Sequence, residues 1–180
     1  MNAMLDLLKI PARPGVFQMP IFPIDFEGNH FTRQSYMTPK FVADTNLQNR
    51  QKGIWGFFAS LRRDPPPSGD KLEAILNSVK SNVDKIRNRG GQVIFVRTPS
   101  SGPYRMGELK GFPRAAYWDR LLAVTGCKGI HFEDYPVTAH FVCPEWSHLT
   151  PDQAVIYTRN LISILRDEDG WSFNKTTVTH

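Results

Sequence analysis

Cysteine is scarce in this 180-residue chain. It carries two, Cys127 and Cys143, too few for a disulfide framework; one bridge is open to them, and two buried free thiols are the simpler reading. Long apolar runs are missing too. No stretch approaches the roughly 20 apolar residues of a membrane-spanning helix. Met1 to Ile10 is too short, and carries Asp6 and Lys9 inside its apolar part, so it makes a poor signal peptide. There is no basic tract either. The formal charge is +5 and the pI about 9.4, but Lys and Arg are scattered, which argues against a nucleic-acid footprint. Internal repeats are absent. The chain reads as soluble, with no membrane span, no nucleic-acid partner and no signal that sets its compartment.

What is present is ordinary globular composition. Hydrophobic residues make up 41% and charged residues 22%, enough for one domain with a real core. Residues 4–10 fit a short amphipathic helix ended by Pro11 and Pro14. Residues 16–45 are rich in Phe and broken by Pro20, Pro23 and Pro39. Extended pieces or an edge hairpin fit best there, with a turn at Glu27-Gly28-Asn29. Residues 47–63 look helical. Asp64 to Gly69 (DPPPSG) is a break, dividing an aromatic- and Pro-rich segment, 1–64, from a better-patterned portion, 65–180.

Beyond the break the periodicity sharpens. Leu72, Ile75, Leu76, Val79, Val83 and Ile86 recur at helical spacing over 70–89, with Gly90-Gly91 as the stop. Gln92 to Arg97 (QVIFVR) reads as a short strand covered on both faces, and Gly129 to Glu133 (GIHFE) as a second short strand. Thr98 to Gly111 reads as a Ser/Gly/Pro-rich loop, residues 113–125 as a helix, and residues 134–148 as a second loop. A last helix spans 151–165, started by Thr150 as N-cap, Pro151 at the first position and Gln153 at the capping-box place. A loose tail, polar apart from Trp171 and Phe173, follows Gly170. This order predicts an α/β fold, a layered sandwich with a mainly parallel sheet. Ligands in such sheets sit beyond the carboxyl ends of the strands, where both loops emerge.

The stretch Cys143 to Gln153 (CPEWSHLTPDQ) carries the most chemistry. His148 stands just before the capped helix, and Glu145 stands three residues earlier. A carboxylate held beside an imidazole sets its tautomer and raises its basicity, the requirement for a general base. Its plain alternative is a loop histidine packed beside Trp146. Ser100 and Ser101 lie on the first loop but lack a Gly-x-Ser-x-Gly elbow, so ordinary turn serines are the simpler reading. Arg97, Arg105 and Arg114 offer an anion site or plain surface charge. Cys143 with His148 is a thiol–imidazole option. His131, His140, Cys143 and His148 match no zinc spacing, so no metal or cofactor is expected.

The run GGQVIFVRTPSSGPYR, then FPRAAYWDRL, GIHFEDYP and PEWSHLTPDQA resembles the C-terminal half of SGNH/GDSL-type hydrolases and their acyltransferase-like relatives. The resemblance covers about residues 70–166. It implies an SGNH/flavodoxin-like fold, incomplete at the N-terminus in this chain. It also implies a triad whose histidine falls on His148 and whose acid, aspartate in the family's D-x-x-H motif, falls on Glu145. The family's nucleophile lies in a Gly-Asp-Ser turn, and none of the serines here follows Gly-Asp. Hydrolysis or transfer of acyl esters on a small-molecule or carbohydrate substrate is therefore expected, with the nucleophile missing or not identifiable. The alternative is a non-catalytic binding or interaction domain on a degenerate scaffold. A truncated sheet leaves an open strand edge and an apolar face, and a homo-oligomer is one way to cover them.

Overall fold

The computed structural model describes residues 25–173. The expected helix over 4–10 and the first aromatic residues of the N-terminal segment lie outside them. The protein is mixed α/β, dominated by helix, with two two-stranded sheets among the described residues.

The first sheet is an antiparallel hairpin. β1 (Glu27–Asn29) pairs with β2 (Ser35–Met37), Gly28 facing Tyr36. The expected turn at 27–29 is thus a strand, and the reversal falls at 30–34, where Arg33 takes φ 68° and donates to the His30 carbonyl at 2.9 Å. Gly28 serves a different purpose from the one its type suggests. A Cβ there would meet the Tyr36 ring at 2.8 Å, so glycine admits the cross-strand ring.

Two helices follow, α1 (Pro39–Ala43) and α2 (Thr45–Leu61), the second capped by Asp44, whose carboxylate accepts from Asn46 N and Leu47 N. The proline break leads into α3 (Gly69–Arg87), which buries Leu72, Leu76 and Val83. Gly90, at φ 79°, supplies the left-handed stop that an L side chain resists.

The second sheet pairs β3 (Ile94–Arg97) with β4 (Lys128–His131) in parallel, Arg97 opposite His131. Between them run α4 (Gly102–Gly111), a 3₁₀ turn at Arg114–Ala116 and α5 (Trp118–Thr125). α4 corrects the expected loop at 98–111. Pro103 in the first turn after Ser101 starts this helix, so the Ser-Gly-Pro run that suggested a loop is a helix beginning. The expected helix over 113–125 divides at Tyr117. After β4 comes a 3₁₀ turn, Phe132–Asp134, so the expected strand over 129–133 ends at His131; the single-turn α6 (Pro136–Ala139) follows, inside what reads as loop. α7 (Pro151–Asp167) ends the fold, with the Thr150 hydroxyl accepting from Gln153 N at 3.4 Å.

Strand alternation sends neighbouring residues to opposite faces. Ile130 packs with Ile164 and Leu165 of α7, joined by Ile94 and Trp171. The adjoining His131 meets the Trp118 ring edge-on at 5.5 Å, on the side where α3 packs against α5. Trp171 is therefore docked on the core, against the expectation of a loose tail; its N–H donates to the Leu165 carbonyl at 3.1 Å.

Candidate functional site

The loop from Cys143 to Leu149 is fixed at several points by the turn that leaves β3. Cys143 N donates to Ser101 Oγ at 2.9 Å, Ser101 N donates to the Trp146 carbonyl at 2.9 Å, and the Cys143 thiol points at the Pro99 carbonyl, 3.5 Å away. Trp146 N closes a tight turn onto the Cys143 carbonyl at 3.0 Å. That turn forces Trp146 to φ 82°, a conformation bulky residues resist. The indole lies against Gly102 (φ 53°), where a Cβ would come within 2.9 Å of its ring.

Glu145 is fully buried, and its carboxylate accepts from every direction. Oε1 takes Ser147 N at 3.2 Å, His148 N at 2.6 Å and pairs with His148 Nδ1 at 2.9 Å. Oε2 takes the Ser147 hydroxyl at 2.8 Å and the indole N–H of Trp55 at 2.6 Å. Burial pushes the carboxyl upward, but the bonds from His148, Trp55 and Ser147 outweigh it and hold Glu145 below the usual carboxylate range. The bond to Glu145 raises His148 above the ordinary imidazole value, against the opposing effect of burial.

A carboxylate on Nδ1 fixes that nitrogen as the N–H donor, leaving the Nε2 lone pair as base. Among the described residues Nε2 has no hydrogen-bond partner. The ring meets Phe26 edge-on at 5.5 Å and lines a cavity of about 820 Å³. The hairpin gives one wall of this cavity, through Phe26, Ser35 and Tyr36, and α7 gives another, through Val155, Tyr157 and Arg159. His30 stacks on Tyr36 at 4.3 Å, presenting a flat aromatic and polar surface.

The other residues singled out by sequence fall elsewhere. Ser100 is buried and donates to Glu108, while Ser101 holds the loop as described. Both hydroxyls are structural in this arrangement. Ser147 sits 3.0 Å from His148 Nδ1 with its proton directed at Glu145, the wrong nitrogen for a hydroxyl that must surrender a proton. Arg97 pairs with Glu108, Arg105 with Glu133, and Arg114 with Asp119 and Asp134; none is an unengaged anion ligand. Burial lifts the Cys143 thiol to about 11, which keeps it protonated and removes the thiolate reading. Cys127 is likewise a buried free thiol. His131, His140 and Cys143 do not converge with His148. Among the described residues no three His, Cys, Asp or Glu side chains group so as to hold a metal ion, and no helix is long and apolar enough to cross a membrane.

Sequence reasoning missed Trp55. It stands 90 positions from its acceptor, and its only local signal is helical spacing with the buried Gln51 and Ile54. Comparisons with family profiles, with curated proteins and with solved structures find no match for this chain.

Proposed function

We propose that His148 and Glu145 form the base–acid half of an acyl-ester hydrolase or acyltransferase site of the SGNH type, acting on a small-molecule or carbohydrate ester. The observation that carries the reading is the Glu145 carboxylate, fully buried, bonded by Trp55, Ser147 and the loop backbone, and 2.9 Å from His148 Nδ1. An exposed loop Glu near a His needs no such enclosure. A preorganised acid that orients an imidazole does. In this reading the helices on the two faces of β3 and β4 belong to a layered α/β sandwich with a mainly parallel sheet.

The chemistry follows from the tautomer. A serine hydroxyl attacks the acyl carbon while Nε2 takes its proton. The imidazolium, steadied by Glu145, returns that proton to the departing alcohol, and water or an acceptor hydroxyl repeats the sequence on the acyl-serine. On the cavity wall Ser35 is the serine left once Ser147 is set aside; its hydroxyl donates to Asn29 Oδ1 at 2.7 Å. A non-catalytic ester- or carbohydrate-binding domain is the second reading, because among the described residues no hydroxyl reaches Nε2.

Labelling with a serine-directed fluorophosphonate, followed by peptide mass spectrometry, tests the reading. A single labelled serine whose labelling disappears in His148→Ala supports the enzyme and names the nucleophile. Folded protein that takes no label, or takes it equally in the variant, rejects a complete catalytic site in this chain.

A further inference from the structure

On the opposite side of the sheet is a second cavity, of about 350 Å³, within the roughly 300–1,000 Å³ range of small-molecule sites. Alternation along the chain separates the two: Arg97 lines this slot, and the next residue, Thr98, lines the His148 cavity. Its walls are aliphatic and aromatic, from Leu72, Leu76 and Val79 of α3, Leu109 of α4 with Phe112 just beyond its end, and Leu121 of α5. Ile75, Leu109 and Phe112 gather there although each is substantially exposed, and clustered exposed apolar side chains mark binding surfaces more often than scattered ones do.

Two polar donors stand in that wall. His131 is 4% exposed and lines the slot. Its Nδ1 accepts from Glu133 N at 3.3 Å, so the proton of the neutral ring sits on Nε2. Among the described residues Nε2–H has no acceptor. Burial first, and the Arg114 charge next, depress the His131 pKa and favour that neutral ring. Trp118, edge-on to His131, also lines the slot, and its indole N–H is buried without a partner. Of the two, the Trp118 indole N–H is the fully buried unpaired donor, and native structures seldom leave such a donor without an acceptor. The charges at the mouth are balanced. Arg97, Arg105 and Arg114 face Glu108, Glu133, Asp134 and Asp119, so nothing there draws in an anion.

We propose that this slot is a second ligand site, taking an uncharged molecule with a compact aliphatic body and one oxygen acceptor, a ketone, alcohol or ester, whose oxygen accepts from His131 Nε2–H. The site does not depend on the chemistry at His148. A carboxylate of the same shape is disfavoured, because it would lose its hydration in an apolar slot without gaining a net positive partner.

Titration of the isotope-labelled full chain with methyl cyclohexyl ketone, followed by heteronuclear NMR, tests this. The expected result is a saturable shift of the Trp118 indole cross-peak, assigned with Trp118→Phe, and of the His131 ring, while the Trp55 indole, bonded to Glu145, stays in place. Cyclohexanecarboxylate should bind at least about tenfold more weakly. His131→Phe should weaken the ketone about five- to tenfold, the value of one hydrogen bond. Leu109→Trp, at a half-exposed position that tolerates the change, should block the slot even if His131→Phe fails to fold. No shift at Trp118, equal binding of the carboxylate, unchanged affinity in a folded His131→Phe, or undiminished binding in Leu109→Trp would overturn the proposal.

Discussion

Replacing Glu145 with Gln changes one oxygen into an amide and leaves the shape intact, so its cost can be worked from the bonds around it. The carboxylate satisfies three N–H groups outside the imidazole: those of Trp55, Ser147 and His148. An amide oxygen placed at Oε1 turns the NH₂ group against the Trp55 indole N–H. Placed at Oε2, it turns the NH₂ against both backbone N–H groups. One or two buried donors therefore lose their acceptor in either orientation, at about 1–3 kcal/mol each. The His148 ion pair adds less, because that ring is 55% exposed and solvent screens it. A net loss of roughly 2–4 kcal/mol is expected, read as a lower midpoint in urea unfolding at constant slope.

The loss should depend on pH with a definite sign. His148 is raised, so its part of the stability is full below about 6.5 and fades as pH climbs through the folded value. Glu145 is lowered, so its part is present above about 4.5 and fades as pH falls through the folded value. The gap between wild type and Glu145→Gln should be widest between those limits and narrow on either side. The same variant should return the His148 NMR titration toward the free imidazole value. An unchanged urea midpoint, or a His148 titration indifferent to the substitution, would refute the reasoning.

Three further outcomes follow from the same geometry. If the site is catalytic, kcat/KM for ester turnover should rise through an apparent pKa above 6.5, because Nε2 must be unprotonated; a limb at or below that value would contradict the Glu145 pairing. Gly102→Ala should destabilise the fold by about 1–3 kcal/mol, since it adds a Cβ at φ 53° within 2.9 Å of Trp146; thermal unfolding reads this, and an unchanged Tm removes the supposed contact. Thr150→Ala removes the cap on Gln153 N and should cost about 1 kcal/mol, measured by the same melt, with no change in His148 titration if the cap only holds the helix.

The long helices and the paired strands were legible because their signals are local. The spacing of Leu72, Leu76 and Val83, the stop at Gly90 and the Thr150-Pro151-Gln153 start each act over a turn or two of chain. α4 was not legible as a helix, since its Gly, Pro and Ser residues suit a loop as well as a helix start. α6 is a single turn, too short to leave a period. The hairpin turn was misplaced because Gly28 suggests a reversal, whereas its smallness admits Tyr36.

By itself the sequence determined which residues could serve: a histidine three positions from a carboxylate, ahead of a capped helix, and the apolar stripes that place both beyond the strand ends. Local spacing suffices for that, because neighbours in a short loop meet whatever the rest of the chain does. Tertiary structure alone decided that Glu145 is buried and ionised rather than a loose surface acid. The indole that holds it comes from 90 residues away, and the turn that fixes its loop comes from Ser101 and Gly102. It also decided that the arginines are paired, that Ser100 and Ser101 are structural, and that His131 faces a slot instead of His148. Burial and long-range pairing are properties of how elements pack together, and no period or motif within one segment specifies them.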